Sequence, residues 1–160
     1  MNEPRLPKSR LEVLKFKLDA LLDITLLINA NQPTAVLLSK YESILRNYLG
    51  IGKVLLFIYR EKWEVLLNAG FPDKLEKSIN AEHDLLCYGE IITDVPAGKF
   101  RGVDIIIPVF NNNVPLAYVL IGDIDEEGEG VSPVIKHQNY IQTISSIIVV
   151  AIENQRLFNE

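Results

Sequence analysis

The chain has 160 residues, 48% of them hydrophobic and 23% charged, with a formal net charge of −5. That apolar content suits one domain with a sizeable core and excludes a disordered regulator, while an acidic chain lacks the basic face a nucleic-acid binder needs. Cys87 is the only cysteine, which excludes an intramolecular disulfide and a zinc site of several thiolates and fits a reducing cytoplasm.

Residues 1–9 carry two prolines among mixed charges and read as a flexible tail, leaving 10–160 as a single domain. Arg5, Lys8, Arg10, Lys15 and Lys17 precede an apolar stretch from Leu18 to Ile28, in the manner of a signal peptide. Asp19 and Asp23 interrupt that stretch and no small-residue cleavage site follows. No apolar run approaches the roughly 20 residues that span a bilayer, so no membrane partner is expected.

Leu11, Leu14, Leu18, Leu21, Thr25 and Ile28 recur at three- and four-residue spacing, the a/d rhythm of a coiled-coil seam. Leu22, Leu26 and Leu27 form a second stripe, so this helix has two partners, its own core and something else. Asn29 to Pro33 breaks it. A second helix is expected from Thr34 to Leu49, stopped by Gly50 and Gly52.

Strands follow at Lys53 to Arg60 and Trp63 to Ala69, joined as a hairpin around Arg60, Glu61 and Lys62. Short helical turns are expected at Asp73–Lys77 and His83–Tyr88, a short strand at Ile91–Val95, and a loop marked by Pro96, Gly98 and Gly102. Val103 to Phe110 and Val114 to Ile124 flank Asn111, Asn112 and Asn113, residues that tolerate the left-handed turn of a tight hairpin. Both strands are apolar on both faces, so the sheet must be covered on both sides. After an acidic loop, Asp125 to Gly130, Ser132 and Pro133 open a last helix to the chain's end. Its stripe is Val134, Ile141, Ile144, Ile148, Ala151 and Phe158, with Tyr140, Ile147 and Val150 beside it. Because no cap stops this helix before Glu160, the native chain is expected to continue. The class is α+β.

This order resembles a GAF domain from about residue 11 to 158. The resemblance rests on Ile105-Ile106-Ile107-Pro108-Val109, the Asn turn, and Leu116-Ala117-Tyr118-Val119-Leu120-Ile121-Gly122. Ala117 stands where such domains most often carry glycine. The segments Leu18-Asp19-Ala20-Leu21-Leu22-Asp23-Ile24 and Val149-Val150-Ala151-Ile152-Glu153-Asn154 are similar to GAF first and last helices. Gly50-Ile51-Gly52-Lys53 and the run Tyr118 to Asp123 are similar to N-terminal domains of bacterial stage II sporulation-type serine phosphatases.

The resemblance implies a central antiparallel sheet with the terminal helices on one face, and short helices and loops on the other, often closing a small-molecule pocket. It also implies homodimers through the terminal helices, for which Leu11, Leu14, Leu18, Leu21, Ile141, Ile144, Ile148 and Ala151 are the candidates. A C-terminal output domain in the same chain, such as a phosphatase, kinase or cyclase, completes the implied architecture.

His83 and Cys87 lie four apart, on one face of any helix, but two ligands are half a metal or haem site, and His137 is distant in sequence. Some photoreceptor GAF domains attach a bilin to a cysteine in this region, usually followed by histidine, whereas Tyr88 follows here. A buried, inert thiol is the competing reading of Cys87. The loop from Asp123 to Gly128 opens like a calcium loop, yet its twelfth place is Val134 rather than glutamate.

The signature of cyclic-nucleotide-binding GAF domains is absent, and one cysteine leaves methionine-sulfoxide reduction without a resolving partner. Neither a P-loop nor a serine nucleophile elbow is present. The residues therefore name no catalytic group, metal or cofactor. The pocket candidates are Phe57, Tyr59, His83, Cys87, Tyr88, Phe110 and Tyr118, weighed against simple core filling. Three functions follow: a non-catalytic regulatory domain that dimerises and binds a small effector, a ligand-free dimerisation scaffold, and a small redox or metal-dependent enzyme.

Overall fold

The computed structural model describes residues 10–124 and 133–158. The apolar periodicity of the N-terminal stretch folds as α1 (Arg10–Asn29), which ends where Asn31 takes a left-handed φ of 53° and Pro33 follows. α2 (Thr34–Ser43) then runs into a π-helical turn (Ile44–Tyr48), in which the Leu49 N–H donates to the Ile44 carbonyl at 3.2 Å. The single helix expected to Leu49 thus widens in its last turn, and Ile44, Leu45 and Leu49 are all buried there.

β1 (Ile51–Arg60) and β2 (Lys62–Ala69) form a hairpin around Glu61 at φ 68°. β3 (Ile105–Asn111) and β4 (Val114–Ile124) form a second, with Asn112 and Asn113 at φ 53° and 65°. Two successive positive φ values are what a two-residue turn compatible with strand twist requires, and asparagine tolerates them. The four strands make one antiparallel sheet in the order β2-β1-β4-β3.

Strand alternation then divides the core. Val54, Leu56, Ile58, Ile105, Ile107, Val109, Ala117, Val119 and Ile121 point to one face, where α1, α2 and α5 (Pro133–Phe158) cover them. Leu55, Phe57, Ile106, Tyr118 and Leu120 point to the other, under Phe71, Leu75, Ile79, Leu85, Phe100 and Val103. This is the α+β layout with the N- and C-terminal helices on one face.

The second cover consists of α3 (Asp73–Ser78), α4 (Ala81–Asp84) and the segment leading to β3. The turn expected at His83–Tyr88 starts earlier because Asn80 caps it. The Asn80 Oδ1 accepts from the N–H groups of Glu82 and His83, at 3.1 and 3.4 Å. The strand expected at Ile91–Val95 contracts to one bridge, Ile92 to Ile106, with both N–H···O bonds at 2.9 Å. Exposed Thr93 and Asp94, then Pro96 with no N–H to donate, end the pairing there.

The acidic loop, Ser132 and most of the calcium-like stretch lie outside the described residues. Among the described residues, no helix is long and apolar enough to cross a membrane.

Candidate functional site

On the loop side of the sheet, period-two alternation brings aromatic residues of three strands together. Phe57 of β1 pairs with Tyr118 of β4, and Tyr59 pairs with Trp63 of β2. The rings of Tyr59 and Trp63 lie 5.5 Å apart, as do those of Trp63 and Tyr118, distances at which tilted aromatic pairs attract. The Tyr118 hydroxyl donates to the Tyr88 carbonyl at 3.2 Å, tying β4 to the chain just after α4. The Tyr88 ring in turn meets Phe100 edge-on at 6.4 Å.

Exposure grades along this row. Tyr59 is 41% exposed, Trp63 half-buried, and Phe57 and Tyr118 buried. Burial raises the phenol pKa of Tyr118 and of Tyr88, with smaller electrostatic contributions from Cys87 to both and from Asp84 to Tyr88. These hydroxyls stay neutral and act as hydrogen-bond donors at ordinary pH.

The structure thus gathers Phe57, Tyr59, Tyr88 and Tyr118, with the Cys87 thiol close to two of them. His83 is exposed on α4, and Phe110 is exposed at the tip of the β3–β4 hairpin. Cys87 is exposed and free, with its thiol 3.8 Å from the Asp84 carbonyl. No group of three or more His, Cys, Asp or Glu side chains able to hold a metal occurs among the described residues. Trp63 and Phe100 join the cluster without having been singled out from the sequence. Trp63 reads there only as a hairpin residue, and nothing in its neighbourhood in the chain points to Tyr118.

The helix side offers two different surfaces. Leu11, Leu14, Leu18, Leu22 and Leu26 of α1 are 55–76% exposed. Their spacing of three and then four residues is close to an 11-residue repeat, whose stripe winds slowly around the helix in the sense of a right-handed supercoil. Leu21 and Ile28, part of the expected heptad seam, instead pack against the core, and Thr25 is exposed with its hydroxyl on the Leu21 carbonyl at 2.8 Å. Ile141, Ile144, Ile148 and Ala151 are buried against the sheet within the domain. The structure therefore separates the eight dimer candidates into an exposed set on α1, with half-buried Leu21 beside it, and a buried set on α5.

A cleft of about 830 Å³ also opens on this side, between the polar outer face of α2 and its π-turn and the start of β1. Ser39, Glu42, Ser43, Arg46 and Asn47 line it over Ile51, Gly52 and Leu67. Arg46 is paired with Glu42 at 3.2 Å, and the Asn47 amide donates to the Ser43 hydroxyl at 3.2 Å. Glu42 with Arg46 and Ser43 with Asn47 thus pair along the helix.

No family model matches the sequence, and no curated protein matches it. Solved structures do share its fold. The GAF domain of a protein described as a sensor histidine kinase from Pseudomonas syringae pv. tomato is 12% identical over 92% of each chain, with a TM-score of 0.62. The GAF domain from a phosphoenolpyruvate-protein phosphotransferase of Coxiella burnetii is 16% identical, covering 91% of this chain and 97% of that one, at 0.61. The phycoerythrobilin-bound GAF domain from a cyanobacterial phytochrome is 15% identical, covering 90% and 98%, at 0.58. At these identities the likeness is one of fold, and the fold is that of GAF domains.

Proposed function

We propose that this chain is a regulatory, sensory domain of a bacterial signal-transduction protein, without catalysis of its own. It works as a homodimer joined along α1, and passes a bias through α5 to an output domain that follows in the same cytoplasmic protein. The observation that carries the reading is the row of leucines on α1. Five large apolar side chains exposed along one slanted stripe of a helix are a surface that a monomer in water gains nothing by keeping. A second copy presenting the same row covers it symmetrically.

Solved domains of this fold come from a protein described as a sensor kinase and from a phosphotransferase, which supports a place beside an output domain. The similarity of individual segments to sporulation-type serine phosphatases makes a phosphatase the first candidate for that output. Effector binding is assigned to the aromatic row, at its accessible end around Tyr59 and Trp63. The second reading, a ligand-free scaffold, is favoured by the burial of Phe57 and Tyr118, which fill space behind that end with side chains.

Native mass spectrometry of the gently purified chain tests these together. A dimer carrying extra mass supports an effector-binding sensor. A bare dimer supports the scaffold, and a monomer at micromolar concentration removes the dimer reading.

A further inference from the structure

Tyr41 and Ser145 meet in the middle of the helix layer, with the Tyr41 hydroxyl and the Ser145 Oγ 2.6 Å apart. Both residues are fully buried, and Ser145 is the one buried polar side chain among the described residues of the core. Its neighbours on the same face of α5 are Ile141, Ile144, Ile148, Val149 and Ile152. Burial raises the Tyr41 phenol far above its ordinary pKa, although the Ser145 bond lowers it somewhat, so it stays a neutral hydroxyl.

If α5 moved one turn along its axis, Ile141 or Val149 would replace Ser145 opposite Tyr41. The hydroxyl would then lie buried with no partner. Gln142, three residues before Ser145, could reach it only by abandoning the Pro108 carbonyl, to which it now donates at 2.8 Å. Three further hydrogen bonds hold the same setting. The Tyr140 hydroxyl donates to the Lys17 carbonyl of α1 at 2.9 Å. The Gln155 amide donates to the Gln32 carbonyl at 2.6 Å, and Thr34 Oγ1 donates to the Gln155 Oε1 at 3.2 Å.

We propose that the Tyr41–Ser145 pair is a register lock, which holds α5 to one lengthwise and rotational setting against α2 and the sheet. A displacement that reaches α5 then moves α1, α2 and α5 as one body, and α5 does not slide past the others like a piston. The lock differs from an apolar contact in kind. Isoleucines and valines a turn apart offer similar packing, so an apolar seam tolerates neighbouring registers, whereas a buried hydroxyl pair accepts one. The significance for signalling rests on α5 being the transmitting helix. The lock itself lies within one protomer and is read there, whether the chain is a monomer or a dimer.

The test is amide NMR and hydrogen exchange on the 160-residue chain, wild type against the double variant Tyr41→Phe with Ser145→Ala. Removing both hydroxyls leaves no orphaned polar atom and nearly preserves the volume. The wild type should give one set of signals over residues 140–155. The double variant should show second signals or exchange broadening confined to α5, with α5 amides exchanging about tenfold faster relative to those of β1 and β4, the scale expected for one buried hydrogen bond. One set of signals and unchanged relative protection in the double variant would overturn the lock. A measurement on the wild type alone covers a variant that fails to fold. The Tyr41 hydroxyl proton should exchange slowly enough to be observed, and rapid exchange with water would overturn the proposal as well.

Discussion

Gly122 sits in the central strand β4, facing the loop side, where the chain before β3 crosses directly over it. A Cβ built there runs onto the carbonyl oxygen of Gly102 and comes within 3.1 Å of the Phe71 ring. Gly122→Ala therefore forces the 96–104 segment off the sheet and disturbs Phe71, a buried member of the loop-side core. Overpacking of this kind destabilises by about 1–3 kcal/mol. Alanine also reduces the entropy of the unfolded chain, which offsets about 0.4–1 kcal/mol. The net expectation is a loss of up to about 2.6 kcal/mol, or up to roughly 10 °C in melting temperature for a domain of this size. Gly98→Ala is the matched control, since a Cβ there meets nothing within 4 Å and only the unfolded-chain entropy changes, a gain of about 0.4–1 kcal/mol. Thermal melts of the two variants beside the wild type decide the matter. Equal melting temperatures for both would refute the close approach of the loop to β4.

Other consequences follow from the same geometry. Burial lifts the Tyr140 phenol to about 12, above its unfolded value of about 10. Below pH 10 both states are protonated and the contribution is fully present. Between about 10 and about 12 only the unfolded state ionises, so stability falls as pH rises. Tyr140→Phe should flatten part of that fall in urea titrations, with Tyr41, Tyr88 and Tyr118 contributing in the same direction, and an unchanged slope would argue against the buried setting. Ile144→Ala opens a cavity at a fully buried site and should cost about 2–5 kcal/mol in chemical denaturation. Tyr118→Phe removes the bond to the Tyr88 carbonyl, which should cost about 1 kcal/mol and shift the emission of Trp63, the only tryptophan, whose ring it touches.

Where the signal was local, the sequence carried the structure well. Pro33 ends a helix because of its own ring, and Asn112 and Asn113 make a hairpin because asparagine accepts positive φ. Strands apolar on both faces announced a sheet covered on both sides, and the two cores lie there. What periodicity could not decide was which of two stripes on α1 faces water. That choice is made by contacts from far along the chain. Tyr140 holds the Lys17 carbonyl, Lys40 pairs with Asp23 at 3.2 Å, and Phe16 stacks on Tyr48 at 4.8 Å. These turn Leu22 and Leu26 outward with Leu11, Leu14 and Leu18, and turn Ile28 inward.

On α5 the same stripe serves the sheet, so a pattern that looked two-sided is largely consumed inside the domain. Ser145 shows the limit clearly. A serine inside an isoleucine-rich stripe is visible in the sequence, but its partner lies 104 positions away. The aromatic row was half legible for a similar reason. Its members are β-formers whose strands could be assigned, while the pairing of Trp63 with Tyr118 depends on strand order.

The most direct test of the account is sedimentation velocity on the wild type and on Leu18→Asp combined with Leu22→Asp. Both positions are exposed in the single chain, so the substitutions should leave the circular dichroism spectrum and the monomer's own fold intact, while placing charges in the middle of the proposed seam. A dimeric wild type at micromolar concentration and a folded, monomeric variant are expected. A variant that remains dimeric, or a wild type that sediments as a monomer across that range, would contradict the α1 interface on which the regulatory reading stands.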